Sequence, residues 1–287
     1  MTYPVLQQYL ERLSGATNAA TSIWLDAEGR AQGRFFNCTM SSAFQPVRQV
    51  GDAGLPVLAY EGLARSVSAA DQGLSLWKLL DHAASDDESI ELDRLCRMLH
   101  AINFFRQPVD GDPDLYLNVH DRLLSAVSSN HGHAFRRILD ALGLPLERVV
   151  LQLPAVTAQQ GWLLNYVADN YRRNGFRFAV NAGSPREALH LLDRVRPDVF
   201  KLDARELQDE QGLLALLRQA AEAKAQVVFK RLETTQALAL LRQLGTAAGV
   251  APDRLLAQGH LLDTPQANLL QTLPQPAPAP LAELSAL

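Results

Sequence analysis

Short apolar runs alternate with longer amphipathic stretches along most of the chain, and this rhythm limits the fold more than any other feature. Eight runs read as strands: FQPV (44–47), VLAYE (57–61), LYLNV (115–119), VVLQL (149–153), RFAVN (177–181), VFKL (199–202), QVVFK (226–230) and RLLAQG (254–259). Between most of them the apolar residues fall at helical spacing, as in SIELDRLCRMLHAINFF, AQQGWLLNYVADNYRR, SPREALHLLDRV, LQDEQGLLALLRQAAEA and TTQALALLRQLG. In GSPREAL, Ser184 is suited to cap a helix whose first residue is Pro185. Strands alternating with helices imply a largely parallel sheet, and eight such units in 287 residues suggest a closed α/β barrel. A barrel of this kind gathers its working groups at the C-terminal ends of its strands.

The segment before residue 43 does not follow the rhythm. PVLQQYLERL reads as a short amphipathic helix, and SIWLDAEGRAQGRFFN as a strand, a glycine-containing turn and a strand. Residues 1–42 are therefore expected to form a helix and hairpin extension, residues 43–270 the barrel, and the Pro/Ala-rich residues 271–287 a mobile tail. The 27 Lys and Arg residues are dispersed among 31 Asp and Glu, for a net charge of −4, which argues against a nucleic-acid surface held by bulk electrostatics. The N-terminus lacks the basic and apolar regions of a secretion signal, and no apolar run approaches membrane-spanning length. The two cysteines, Cys38 and Cys96, sit at no metal-binding spacing. Together these features lead us to expect a reduced, soluble, cytoplasmic protein.

In order, the predicted strand ends carry Gln45, Glu61 with Arg65, Asn118, Gln152, Asn181, Lys201 with Asp203, Lys230 with Glu233, and Gln258. At these positions the sequence resembles the EAL-domain cyclic-di-GMP phosphodiesterases. FQPV, YEGLAR, LYLNVHDRLL, FKLD, LETTQ and AQGHLLDTP match that family's successive motifs in order and spacing, from about Ala43 to Leu270. The Glu-Ala-Leu signature stands here as Glu61-Gly62-Leu63. The resemblance implies an EAL-type modified TIM (β/α)8 barrel with a short N-terminal extension.

Members that hydrolyse the cyclic dinucleotide hold Mg²⁺ or Mn²⁺ with carboxylates and one asparagine, since hard cations take oxygen ligands and activate water. By resemblance, Glu61, Asn118 and Lys201 match the family's first ligand, its asparagine and the lysine that assists the attacking water. The other ligand positions depart from the pattern, with Gln152, Asn181, Ala182 and Lys230 where the family has acidic residues, and Ala155 at the second glutamate of its Glu-Leu-Thr-Glu strand. One carboxylate cannot offset two divalent cations, and an ammonium at position 230 repels them. Mg²⁺ or Mn²⁺ binding is not expected, Glu61, Asn118 and Lys201 are read as vestigial, and Lys230 is expected to pair with Glu61 in place of the metal charge.

These substitutions describe a degenerate, non-catalytic EAL-like protein of bacterial signal transduction, working through an unidentified regulatory protein. The alternative is a cyclic-di-GMP receptor that binds without hydrolysis. Its candidate contacts are Gln45, Glu61, Leu63, Arg65, Asp203, Lys230, Arg231, Glu233, Gln258 and Pro265. A weak phosphodiesterase is the third reading. Lys201 and Asp203 could equally close an internal salt bridge, and Glu61 with Arg65 could be a structural pair. His131 and His133 have no third ligand nearby in sequence and read as a polar helix start. Trp77, Phe104, Phe105 and Cys96 read as core residues. No nucleic-acid or membrane contact is expected, and a homodimer is left open. No sensory, DNA-binding or cyclase domain is recognisable in the sequence, so output is expected to pass through a partner.

Overall fold

The computed structural model describes residues 8, 21–36, 38–67, 85–120, 131–155 and 161–270. The expected helix within PVLQQYLERL, Trp77 and the Pro/Ala-rich tail lie outside these, apart from Gln8, which is helical. Ten strands form one sheet: β1 (Thr21–Leu25), β2 (Ala31–Phe35), β3 (Cys38–Gln49), β4 (Val57–Ser66), β5 (Asp114–Asn118), β6 (Val149–Leu153), β7 (Arg177–Asn181), β8 (Val199–Asp203), β9 (Gln226–Lys230) and β10 (Leu255–Ala257). The described helices are α1 (Asp86–Phe105), α2 (His131–Leu142), α3 (Gly161–Arg173), α4 (Pro185–Val195), α5 (Glu210–Glu222) and α6 (Thr235–Ala248).

The sheet closes into an eight-stranded barrel from β3 to β10, with β3 pairing both β10 and β4. The neighbours from β4 round to β10 are parallel. β3 runs against both of its neighbours, which the largely parallel expectation did not include. It is also 12 residues long, where FQPV suggested only four residues of its second half. The β1–β2 hairpin extends the same sheet, because β2 pairs with the first residues of β3.

Local sequence accounts for the helix starts. Ser184 accepts a hydrogen bond from the Glu187 amide, Pro185 opens α4, and Asp209 and Thr234 cap α5 and α6 in the same way. Gly249 ends α6 in the left-handed region, where a Cβ is unfavourable. The outward residues of the strands, among them Leu117, Leu151, Phe178, Phe200 and Phe229, are fully buried beneath the helices. Each contributes about 1.5–3 kcal/mol relative to exposure. Phe104 and Cys96 are also buried in this layer, whereas Phe105 is half-buried against it. None of the described helices is long and apolar enough to cross a membrane.

Inside the barrel a second apolar cluster takes one residue from every strand: Val47, Ala59, Tyr116, Val150, Ala179, Val199, Val228 and Leu256. This plug is the floor of the site. Strand side chains on one face recur every second residue. The next inward position therefore lies two residues on in each parallel strand and two residues back in the reversed β3.

Candidate functional site

Those next positions are Gln45, Glu61, Asn118, Gln152, Asn181, Lys201, Lys230 and Gln258, a polar ring directly above an apolar floor. The ring is bonded internally. Lys201 Nζ lies 2.9 Å from Glu61 Oε2 and 3.3 Å from Gln258 Oε1. Asn118 Nδ2 donates to Glu61 Oε1 at 2.8 Å, and Gln152 Nε2 donates to the same oxygen at 3.1 Å. Gln258 Nε2 donates to Gln45 Oε1 at 3.1 Å, and Gln45 Nε2 to the Asp263 carbonyl at 2.9 Å. One chain of bonds thus crosses the barrel from β3 through β10, β8 and β4 to β5 and β6.

Glu61 does not pair with Lys230, contrary to the expectation from sequence. Its ion pair is with Lys201, which is 2 % exposed and stands across the barrel. Lys230 Nζ instead donates to Asn181 Oδ1 at 2.7 Å, and Asn181 Nδ2 in turn to the Leu153 carbonyl at 3.0 Å. The reason is positional, because β9 and β7 flank β8 whereas β4 lies opposite. Lys201 and Asp203 do not close a salt bridge with each other either. Asp203 is bonded by Arg205 and Arg231.

Burial raises the Glu61 carboxyl, but the Lys201 charge and the bonds from Lys201 and Asn118 outweigh it and bring the group down to about 2. Burial, with Lys201 and Arg231 nearby, holds the Lys230 ammonium below the usual lysine range. Bonds from Arg205 hold Asp203 below the usual carboxyl range against its partial burial, with Arg231 adding to the effect.

The candidate residues thus fall into groups. Gln45, Glu61, Asn118, Lys201 and Gln258 form one network, completed by Gln152. Asp203 and Arg231 sit beside it at the ends of β8 and β9, and Lys230 faces Asn181. Arg65 is exposed and lines a separate cleft of about 280 Å³ with Asp26, Arg30, Gln32 and Ser41, two residues beyond half-buried Leu63 on β4. It makes no ion pair with Glu61. Glu233 is exposed just before the cap of α6, and Pro265 is half-buried in the segment after β10. His131 opens α2. Among the described residues no three His, Cys, Asp or Glu side chains form a metal-binding group.

Arg205 was not foreseen. Its position two residues after Asp203 is the available sequence signal, since an Asp side chain readily takes the backbone N–H two residues on. The Asp263 carbonyl bonded by Gln45 left no signal, being 218 residues away.

The EAL domain family model matches residues 29–249. Among solved structures, the chain is similar to Klebsiella pneumoniae BlrP1, determined as a calcium and cy-diGMP complex, with 21 % identity and a TM-score of 0.65. That match covers 81 % of this chain and 57 % of BlrP1, so the chain spans little more than half the length of that relative. The Xanthomonas citri FimX EAL domain in complex with c-diGMP gives 17 % identity and a TM-score of 0.65 over 81 % of this chain and 91 % of that one. A standalone EAL protein from Vibrio cholerae O395 in its c-di-GMP-bound form gives 17 % and 0.62 over 84 % and 98 %. No curated protein matches the chain.

Proposed function

The chain belongs to the EAL domain family, and on that premise we propose that it is a catalytically inactive regulatory member, acting through contacts with another protein in cyclic-di-GMP signalling. The observation that carries this reading is the make-up of the ring, in which Gln152, Asn181 and Lys230 leave Glu61 as its one carboxylate and Glu61 is ion-paired with Lys201. The one carboxylate of the ring is already neutralised by an ammonium group of the chain itself.

The remaining donors do not fit a pair of hard divalent cations. Besides Glu61 the ring offers five amide side chains and two lysines. Its one orphaned acceptor is the buried Gln152 Oε1, a neutral oxygen in place of the carboxylates such ions prefer. Lys230, next to Asn181, adds a repulsion on the order of several kcal/mol at intermediate dielectric. Without bound metal nothing in the ring activates a water for attack on phosphorus. No Mg²⁺ or Mn²⁺ cofactor is part of this proposal.

A second reading, a receptor that binds cyclic-di-GMP without hydrolysis, draws support from Arg65. Its guanidinium is exposed and has no ion-pair partner among the described residues, so it is available to a phosphate. The solved relatives with bound cyclic dinucleotide also favour it.

Incubation with cyclic-di-GMP and Mg²⁺ or Mn²⁺, followed by chromatography, is expected to give no linear product above buffer. Product that depends on Glu61 and disappears with chelator would refute the inactive assignment. Calorimetric titration of the same nucleotide, with metal and with chelator, separates the two remaining readings. Absence of binding supports the adaptor, and binding that Arg65→Ala weakens supports the receptor.

A further inference from the structure

The ends of β8 and β9 carry four cationic side chains, Lys201, Arg205, Lys230 and Arg231, and they bond only two carboxylates, Glu61 and Asp203. Glu61 is committed to Lys201. Asp203 is shared, because Oδ1 accepts from the Arg205 amide and Nε, Oδ2 accepts from Arg205 Nη2, and Arg231 Nη2 forms an ion pair with the same Oδ2 at 2.7 Å. Three hydrogen bonds from Arg205 and the ion pair with Arg231 thus engage both of its oxygens. Glu206 and Glu233 act on Arg205, and neither is among the charges acting on Lys230.

Lys230 therefore has no ion-pair partner among the described residues, and Arg231 has only a carboxylate that it shares with Arg205. Lys230 spends one of its three N–H donors on neutral Asn181. Arg231 makes an ion pair with Asp203 at 2.7 Å, and its side chain is 56 % exposed. Its backbone sits at φ 61°, in the left-handed region, a placement that costs a non-glycine residue about 1 kcal/mol. Surroundings must hold a residue there, and such residues concentrate at binding sites.

We propose that Lys230, Arg231 and Asn181 form a metal-independent oxyanion site at the barrel mouth, which takes a carboxylate side chain from an acidic segment of the partner protein. The inference rests on the adaptor reading above and names the chemistry of its partner. The floor beneath the site is the apolar cluster inside the barrel. The guanidinium groups of Arg231 and Arg205, 56 % and 72 % exposed, stand outward and reach a group carried on another surface. The planar fork of Arg231 matches a carboxylate with two parallel bonds.

The test is an NMR titration of the full chain with the acetylated, amidated peptides Glu-Glu-Glu and Gln-Gln-Gln, inorganic phosphate and cyclic-di-GMP. The triglutamate peptide is expected to shift amide signals around residues 181, 203, 230 and 231, with no dependence on Mg²⁺, while triglutamine shifts none. Lys230→Gln and Arg231→Gln are each expected to weaken it about tenfold or more, the scale of a charge-assisted bond. Arg136→Gln, on exposed α2, serves as the control and is expected to leave it unchanged. Shifts that do not localise, or unchanged affinity in Lys230→Gln, would overturn the site. Phosphate binding there more tightly than the peptide, or cyclic-di-GMP displacing the peptide at lower concentration, would overturn the acidic occupant. Hydrolytic turnover would refute the inactive assignment alone, whereas a flat titration without turnover would refute this site alone.

Discussion

Lys201 on β8 reaches across the barrel to Glu61 on β4, 140 residues earlier, and lies 2.9 Å from its carboxylate. Lys201 is almost fully buried, and the Glu61 side chain is 14 % exposed. Each charge is tolerated only because of the other. Lys201→Met should leave Glu61 without its counter-charge and cost about 3 kcal/mol, the lower end for breaking a buried pair. The double variant with Glu61→Gln should recover much of that loss, since two matched neutral groups leave no uncompensated charge. Urea unfolding of the wild type and three variants measures this. A single-variant loss below about 1 kcal/mol would mean that the pair is solvated.

Two groups should make the barrel acid-sensitive. Burial on α1 pushes His100 from 6.5 down to about 3, with the Glu61 charge opposing. As pH falls below 6.5 the unfolded chain takes up a proton that the folded chain refuses, so stability is lost from 6.5 toward 3. Glu61 is lowered from 4.5 to about 2, so its contribution is complete above 4.5 and disappears as pH falls toward 2. Denaturant midpoints should therefore decline in two overlapping steps. His100→Asn should flatten the upper step and Glu61→Gln the lower. A wild-type midpoint constant from pH 7 to pH 4 would contradict the His100 assignment, and one constant from pH 4.5 to pH 2 the Glu61 assignment.

Short apolar runs set between amphipathic stretches disclosed all eight barrel strands, because an apolar run is a property of each strand alone. The direction of β3 was not legible in the same way, since FQPV is the same apolar run whichever way the strand runs. The ring positions followed from strand ends, as did the mouth position of Lys201 and Asp203. Their partners did not. Whether Lys201 or Lys230 meets Glu61 depends on which strands oppose each other after closure, and both lysines end similar runs, VFKL and QVVFK. Arg65 follows Glu61 by four residues, and sequence could not show that β4 carries it beyond the ring into the cleft beside the hairpin.

Gly62, the middle residue of Glu61-Gly62-Leu63, has a packing reason that sequence could not display. A Cβ added there would lie 2.9 Å from Cβ of His100, which is buried with its Nδ1 2.8 Å from Ser42 Oγ. Gly62→Ala should therefore cost about 1–3 kcal/mol through overpacking. Adding His100→Ala should cancel part of that cost, because the two sites share one volume. Additive losses in a double-mutant cycle would show that the contact relaxes freely.

The central claim is that the ring's charges are supplied by the chain's own lysines in place of metal ions. The most direct measurement is a calorimetric titration of Mn²⁺ into the 287-residue chain at neutral pH, with the Glu61→Gln variant alongside. The account predicts no saturable binding at millimolar Mn²⁺ in either protein. Two saturable sites in the wild type that vanish in Glu61→Gln would contradict it.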